Sequence, residues 1–161
     1  MSTKEVFNEI FEYRGGNLYW KVSTGPRAKV GSLAGSINGK YLRTRYKGKI
    51  TANHRIIFMM HHGYFPKEID HINGNKLNNC IENLRAATRH ENMRNCKTNG
   101  KKTLTGCKNV SFEKRTASYV VRVVVNNKLT HIGTFKDLEL ADLVAHEARN
   151  KHYKEFANHG Y

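Results

Sequence analysis

The sequence predicts an α+β chain with a basic, β-rich N-terminal region, a strand–loop–strand–helix unit, and a C-terminal three-stranded antiparallel sheet carrying one packed helix. Three observations predict it. Residues 17–51 alternate apolar and basic side chains between Gly-containing turn signals. Residues 69–95, IDHINGNKLNNCIENLRAATRHENMRN, pass from strand to helix character across an Asn-rich loop. The C-terminal text NVSFEKRTASYVVRVVVNNKLTHIGTF offers three strands, and KDLELADLVAHEARNKHY then offers a helix.

The elements follow in order. Ser2-x-x-Glu5 makes a capping box, after which Val6, Phe7, Ile10 and Phe11 share one face of a short amphipathic helix. In YLRTRY the strand period puts Leu42, Thr44 and Tyr46 on a core face and Arg43, Arg45 and the following Lys47 on the other. Asn53 is placed to cap an apolar helix that ends at Gly63. Asn73-Gly74 is a hairpin turn signal, with an incoming strand at Ile69–Ile72 and a returning one in NLRAA. Thr88-x-x-Glu91 is a second capping box and starts a helix near Arg89. The stretch NCKTNGKKTLTG reads as a linker. The last helix carries a small-residue stripe of Ala141, Val144, Ala145 and Ala148 for packing on the sheet. The expected division is residues 1–100, a linker at 101–105, and residues 106–161.

Charge points to the partner. Lys and Arg number 28 against 13 Asp and Glu, a formal charge of +15 with pI near 9.9. No acid interrupts Tyr13–Lys67. A polyanion is the natural ligand of such a surface, because phosphate contacts release counterions. The longest apolar run, Ile56–Met60, is far below the roughly 20 residues of a membrane helix, and the N-terminus lacks the apolar core of a signal peptide. A soluble, cytoplasmic protein is expected, in the host cytoplasm if phage-encoded. Cys80, Cys96 and Cys107 are odd in number and lack Cys-x-x-Cys pairing, so neither a disulfide framework nor structural zinc is expected. They read as buried or half-buried thiols.

The polar residues of the central segment fit hydrolytic chemistry. Asp70 and His71 end one strand, Asn83 begins the next, and Asn92 lies one turn into the helix. A carboxylate and an amide oxygen are hard ligands suited to Mg²⁺ or Mn²⁺. A neutral imidazole can take the proton of an attacking water.

The spacing Asp70-His71, Asn83, Asn92 resembles that of HNH endonucleases with their ββα-metal fold. The similarity extends over NHRIIFMMHHGYFPKEIDHINGNKLNNCIENLRAATRHENMRN, which looks like phage and intron-encoded homing endonucleases. The resemblance implies that His71 is the general base and that Asp70 and Asn92 hold one divalent cation. It also implies that Asn83 steadies the loop that orients His71. The substrate implied is double-stranded DNA, cut by a homing or nicking endonuclease of phage or mobile-element origin. Arg55 and Arg94 are candidates for additional charge near the site; His54 reads as a packing or DNA-contact residue, His61 and His62 as helix-end residues, and His90 is a further candidate near the metal. A non-cleaving DNA-binding protein that keeps the same shape is the alternative, and whether the protein is a monomer or homodimer stays open. RNA binding is permitted by charge but receives no support from motifs.

Residues 106–160 also resemble the DNA-binding domain of plant APETALA2/ethylene-response factors, through HIGTF, the Ala-x-x-x-Ala helix and FANHG. That family lays its sheet in the major groove. The resemblance puts Tyr119, Val121 and Val123 toward the helix and leaves Ser111, Arg115, Arg122, Lys128 and His131 facing DNA. With Val120 and Val124 beside them, backbone positioning is the expected mode.

Overall fold

The computed structural model describes residues 1–96 and 104–160, and the chain divides into two compact units, Met1–Arg89 and His90–Tyr161. In the first unit, α1 (Thr3–Ile10) is closed by the expected reciprocal cap. The Glu5 amide donates to Ser2 Oγ at 3.2 Å, and the Ser2 amide to Glu5 Oε2 at 2.7 Å. The helix stops short of Phe11, which the sequence pattern assigned to its apolar face. Phe11 adopts an extended backbone and begins β1 (Phe11–Arg14), antiparallel to β2 (Asn17–Trp20). Its ring is thereby placed 4.8 Å from that of Trp20 in the core.

A three-stranded antiparallel sheet follows, built from β3 (Ser36–Asn38), β4 (Tyr41–Tyr46) and β5 (Lys49–Ala52). Its central strand obeys the alternation read from the sequence. Thr44 is buried, Leu42 and Tyr46 are half-buried, and Arg43 and Arg45 are exposed. Lys47 occupies the β4–β5 turn at φ +47 instead of the strand. Across the sheet lies α2 (Asn53–His62), with Ile56, Ile57, Phe58, Met59 and Met60 all buried. Together with Ile10, Phe11, Leu18, Trp20, Ile69 and Leu84, most of these form the core of the unit. The helix ends at Gly63, whose left-handed backbone lets its amide reach Met59 O at 2.8 Å. Lys4 Nζ supplies a donor to the nearby His61 carbonyl.

Asn53 is not the helix cap that the sequence suggested. Ala52 takes that position without a side-chain bond, and Asn53 enters the helix. Its buried amide joins three elements: Nδ2 donates to Ala34 O at 2.9 Å, and Oδ1 accepts the Thr44 hydroxyl at 2.7 Å. The crossing is tight enough to demand glycine next door. A Cβ on Gly35, at φ +102, would stand 2.7 Å from Thr44 Oγ1. The unit is completed by an antiparallel pair, β6 (Glu68–His71) and β7 (Leu84–Ala87).

The second unit opens with α3 (Arg89–Arg94). Lys108 Nζ donates to the carbonyls of Arg94 and Cys96, each at 2.7 Å, and the Arg94 guanidinium lies over the Tyr153 ring. Then come β8 (Val110–Glu113), β9 (Ser118–Val125), β10 (Lys128–Phe135) and α4 (Leu138–Tyr153), in sheet order β10-β9-β8. Val121 and Val123 are fully buried and pack with Ala141, Ala145 and Ala148, so the small-residue stripe lets α4 approach the sheet as expected. Asp137 Oδ1 caps α4 through the Leu140 amide, and Tyr153 Oη accepts the Val124 amide at 2.9 Å. Cys80 and Cys107 are half-buried, but Cys96 is exposed, against the sequence reading. Of the expected linker, residues 101–103 lie outside the described residues. Among the described residues, no helix is long and apolar enough to cross a membrane.

Asn53→Ala is expected to destabilise the protein by about 2 kcal/mol, since it strands buried partners in two segments. Urea unfolding of the variant beside the wild type measures this.

Candidate active site

The site is built on β6 and β7, whose register pairs Asp70 with Arg85 and His71 with Leu84. Cross-strand partners lie on one face of a sheet. Arg85 accordingly reaches Asp70: its Nε is 2.8 Å and its Nη2 2.7 Å from Asp70 Oδ2. Both carboxylate and imidazole are buried, at 3% and 5% exposure.

The strands are joined, as expected, by an Asn-rich loop that begins with the Asn73-Gly74 turn. The Gly74 amide turns back to His71 O at 2.8 Å, and the chain continues through Asn83 before β7 begins. Residues 72–83 form a loop whose asparagines supply its internal bonding. Asn73 Oδ1 accepts the Asn75 amide, Asn75 Oδ1 the Leu77 amide, and Asn78 Oδ1 the Cys80 amide.

Asn83 closes the loop at its base. It sits at the end of a 3-10 turn, Ile81–Asn83. Its Oδ1 accepts the Asn73 amide at 3.0 Å, while Nδ2 donates to Asn73 Oδ1 at 3.0 Å and Asn78 O at 2.8 Å. Its own carbonyl accepts the Ile72 amide at 2.9 Å. The loop end next to His71 is thus fixed from one side chain.

Around His71 stand groups that sequence reasoning did not select. Asn79 Oδ1 is 3.0 Å from His71 Nε2. The His54 ring meets His71 edge-on at 5.1 Å, and the Tyr41 ring lies 6.3 Å away. Burial lowers the His71 pKa, opposed by the Asn79 hydrogen bond and the Asp70 charge and assisted by Lys76. The imidazole is therefore neutral at neutral pH, the form in which it can accept a proton. His54 is pushed down to about 3, first by burial and then by His71, Arg55 and Arg43. Its Nδ1 is buried without a partner.

A cavity of about 860 Å³ extends from Tyr41 and His54 to Arg43, Lys47, Lys49 and Arg55. It places basic side chains beside the ring cluster. Arg45 is exposed on the same strand as Arg43, and Arg55 is half-buried, with Nη2 donating to Pro66 O at 3.0 Å. In the second unit Arg115, Arg122, Lys128 and His131 are all exposed. Arg122 Nη1 is 3.5 Å from Ser111 Oγ, and His131 Nε2 is 3.0 Å from Thr134 Oγ1.

The structure thus places Asp70 and His71 on opposite faces of β6 and Asn83 at the base of the following loop, all in the first unit, while Asn92 is half-buried on α3 in the second. His61 bonds Ile57 O through Nδ1, and His62 stacks on Phe58, as helix-end residues do. His90 is exposed on α3. Among the residues missed, Arg85 was accessible by counting register back from Ala87. Asn79 carried no such signal, because nothing local distinguishes it from the other loop asparagines.

A family model described as HNH endonuclease matches residues 51–94. The chain is also 32% identical over 122 residues to Protein 3.8 of Escherichia phage T7, covering 72% of this chain and 98% of that protein. No solved structure matches it.

The buried His54 sets a pH dependence. With a native value near 3 and an ordinary value of 6.5, the unfolded chain binds the extra proton between them, so stability falls as pH drops below 6.5. His54→Phe keeps a ring in place without the titration. Urea unfolding is expected to show the variant gaining on the wild type by about 2 kcal/mol between about pH 7 and about pH 5.

Proposed function

The chain belongs to the family of Protein 3.8 of Escherichia phage T7 and carries a segment that matches the HNH endonuclease model, and on that premise we propose that it is a metal-dependent endonuclease that hydrolyses phosphodiester bonds in duplex DNA. The observation that carries the reading is the buried, neutral His71 beside Asp70, on a strand pair whose loop is tied by Asn83. These residues fall within the segment matched by the family model.

The donor set fits a hard cation. Among the described residues no cluster of three or more His, Cys, Asp or Glu could hold a metal, so a site here rests on mixed oxygen donors. Asp70 and Asn92 supply a carboxylate and an amide oxygen, the chemistry of Mg²⁺ or Mn²⁺ sites that keep water and phosphate positions open. When bound, such a cation polarises the scissile phosphate and stabilises the departing 3′ oxygen. By its residue types and spacing we assign the segment matched by the family model to the ββα-metal class.

His71 acts as general base. It takes a proton from water, the water oxygen bonds to phosphorus, and the bond from phosphorus to the 3′ oxygen breaks. Asn83 holds the loop so that the imidazole keeps its place, and Arg85 holds the Asp70 carboxylate in the register of the strand pair. Both act by orienting others.

DNA binding follows from the basic side chains. Arg43, Arg45, Lys47 and Arg55 offer phosphate contacts in the first unit, and Arg94 adds charge on α3. Arg115, Arg122, Lys128 and His131 are the exposed contacts of an APETALA2-like targeting domain; Val120, expected beside them, is buried and Val124 half-buried, and contacts through the four polar side chains suit backbone positioning. One site per protomer cuts one strand, so a single protomer nicks and a homodimer breaks both strands. The similarity to a phage protein favours a phage or mobile-element origin, consistent with a homing or nicking enzyme acting in the host cytoplasm.

The test is cleavage of supercoiled plasmid with Mg²⁺, Mn²⁺ or chelator. Metal-dependent nicking is expected, reduced at least about 100-fold in His71→Ala with DNA binding retained. Equal cutting by His71→Ala, or no cutting with either metal on any duplex including native-host DNA, would remove the proposal.

A further inference from the structure

The first hairpin, β1–β2, lies outside the residues that the family model matches, yet it touches the catalytic loop at two points. Tyr13 Oη accepts the Ile81 amide at 3.0 Å across 68 residues of chain. Gly16, in the β1–β2 turn at φ +85, lies so close that a Cβ there would stand 2.8 Å from Cys80 N and 3.1 Å from the Asn79 carbonyl carbon. Both contacts fall on the backbone immediately following Asn79.

Asn79 is 1% exposed, although it lies in a loop. Its Oδ1 faces His71 Nε2 at 3.0 Å, and its Nδ2 is buried with no hydrogen-bond partner. An orphaned buried amide hydrogen-bonding group is destabilising because it has lost its water partners. Solvent would relieve that cost if the loop lifted. The backbone contacts at Tyr13 and Gly16 oppose such lifting, because they hold the adjacent Cys80 and Ile81.

We propose that Asn79 is a positioning residue for His71 and that the β1–β2 hairpin is the clamp that sets its depth. This rests on the reading of His71 as the base. By accepting the Nε2 proton, Asn79 fixes one neutral tautomer of the imidazole and leaves the ring lone pair on Nδ1, the atom that receives the proton from water. The ring's rotation is fixed by the same bond. The hairpin sets how far Asn79 reaches, since Tyr13 Oη and the Gly16 backbone determine the height of the chain on either side of Cys80. A part of the protein outside the matched segment thereby aligns the group that performs the chemistry.

The test reads the His71 tautomer directly, by ¹⁵N NMR of the metal-free full chain at one mildly alkaline pH. It is paired with single-turnover nicking of plasmid at saturating protein. The wild type is expected to show the Nε2–H tautomer. Asn79→Ala is expected to give a mixture of tautomers and to slow the single-turnover rate by about 10- to 100-fold, with the Kd for DNA unchanged. Asn79→Asp keeps an acceptor at the same reach, so it is expected to restore both the tautomer and most of the rate. Tyr13→Phe, which removes only the acceptor for Ile81, is expected to fall between wild type and Asn79→Ala in both readouts.

A wild-type Nδ1–H tautomer, or an Asn79→Ala variant with unchanged tautomer and rate, would overturn the proposal. So would an Asn79→Asp protein that behaves like Asn79→Ala. A Tyr13→Phe protein identical to wild type would overturn the role of the hairpin alone. If no protein cuts DNA while the tautomers change as expected, the positioning role stands and the nuclease reading fails.

Discussion

The closure of the loop between β6 and β7 by Asn83 is the constraint on which the rest of the site depends. A loop of this length has considerable conformational freedom, and its closure costs entropy that grows slowly with length. Asn83 offsets that cost with one side chain, which accepts from Asn73 and donates to both Asn73 and Asn78, while its carbonyl holds Ile72. Three of these bonds hold Ile72 and Asn73, the two residues that follow His71. The amide works here because it both donates and accepts; an Asp of the same size could do only half of this.

Polar groups at the site are kept in place by burial against a core that is itself well packed. Ile69 and Leu84, the apolar members of β6 and β7, join the core formed by α2 and the first hairpin. The strand pair therefore has one face, with Ile69, Leu84 and His71, turned to the core and another that presents the Asp70–Arg85 pair. Burial of the imidazole lowers its proton affinity, which suits a base that must begin neutral. The same burial makes His54 a permanently neutral neighbour and so avoids a second positive charge next to His71.

The basic surface belongs to a different level of the design. Arg43 and Arg45 project from a strand whose other face buries Thr44, and Thr44 in turn is fastened to Asn53 at the start of α2. These exposed basic side chains are thus carried on an element fixed by an internal polar bond. In the second unit, Arg122 faces outward from β9 while Val121 and Val123 pack inward against α4, by the same strand alternation.

Much of this was legible in the sequence because it depends on local periodicity and local chemistry. The Ser2–Glu5 cap, the end of α2 at Gly63, the alternation in YLRTRY, the three C-terminal strands and the small-residue stripe of α4 are all set by neighbours within a turn or a strand pair. Asp70, His71 and Asn83 were visible through residue type and spacing. Tertiary structure alone decided the rest: that Phe11 leaves the helix to meet Trp20, that Asn53 bonds Thr44 and Ala34 instead of capping, and that Asn83 bonds Asn73 and Asn78 across the loop. It also decided that Asn79, among several equivalent loop asparagines, is the one turned to His71. The physical reason is common to all four. Each depends on a partner many residues away, and a side chain with several bonding options takes the one that the packed core places within reach.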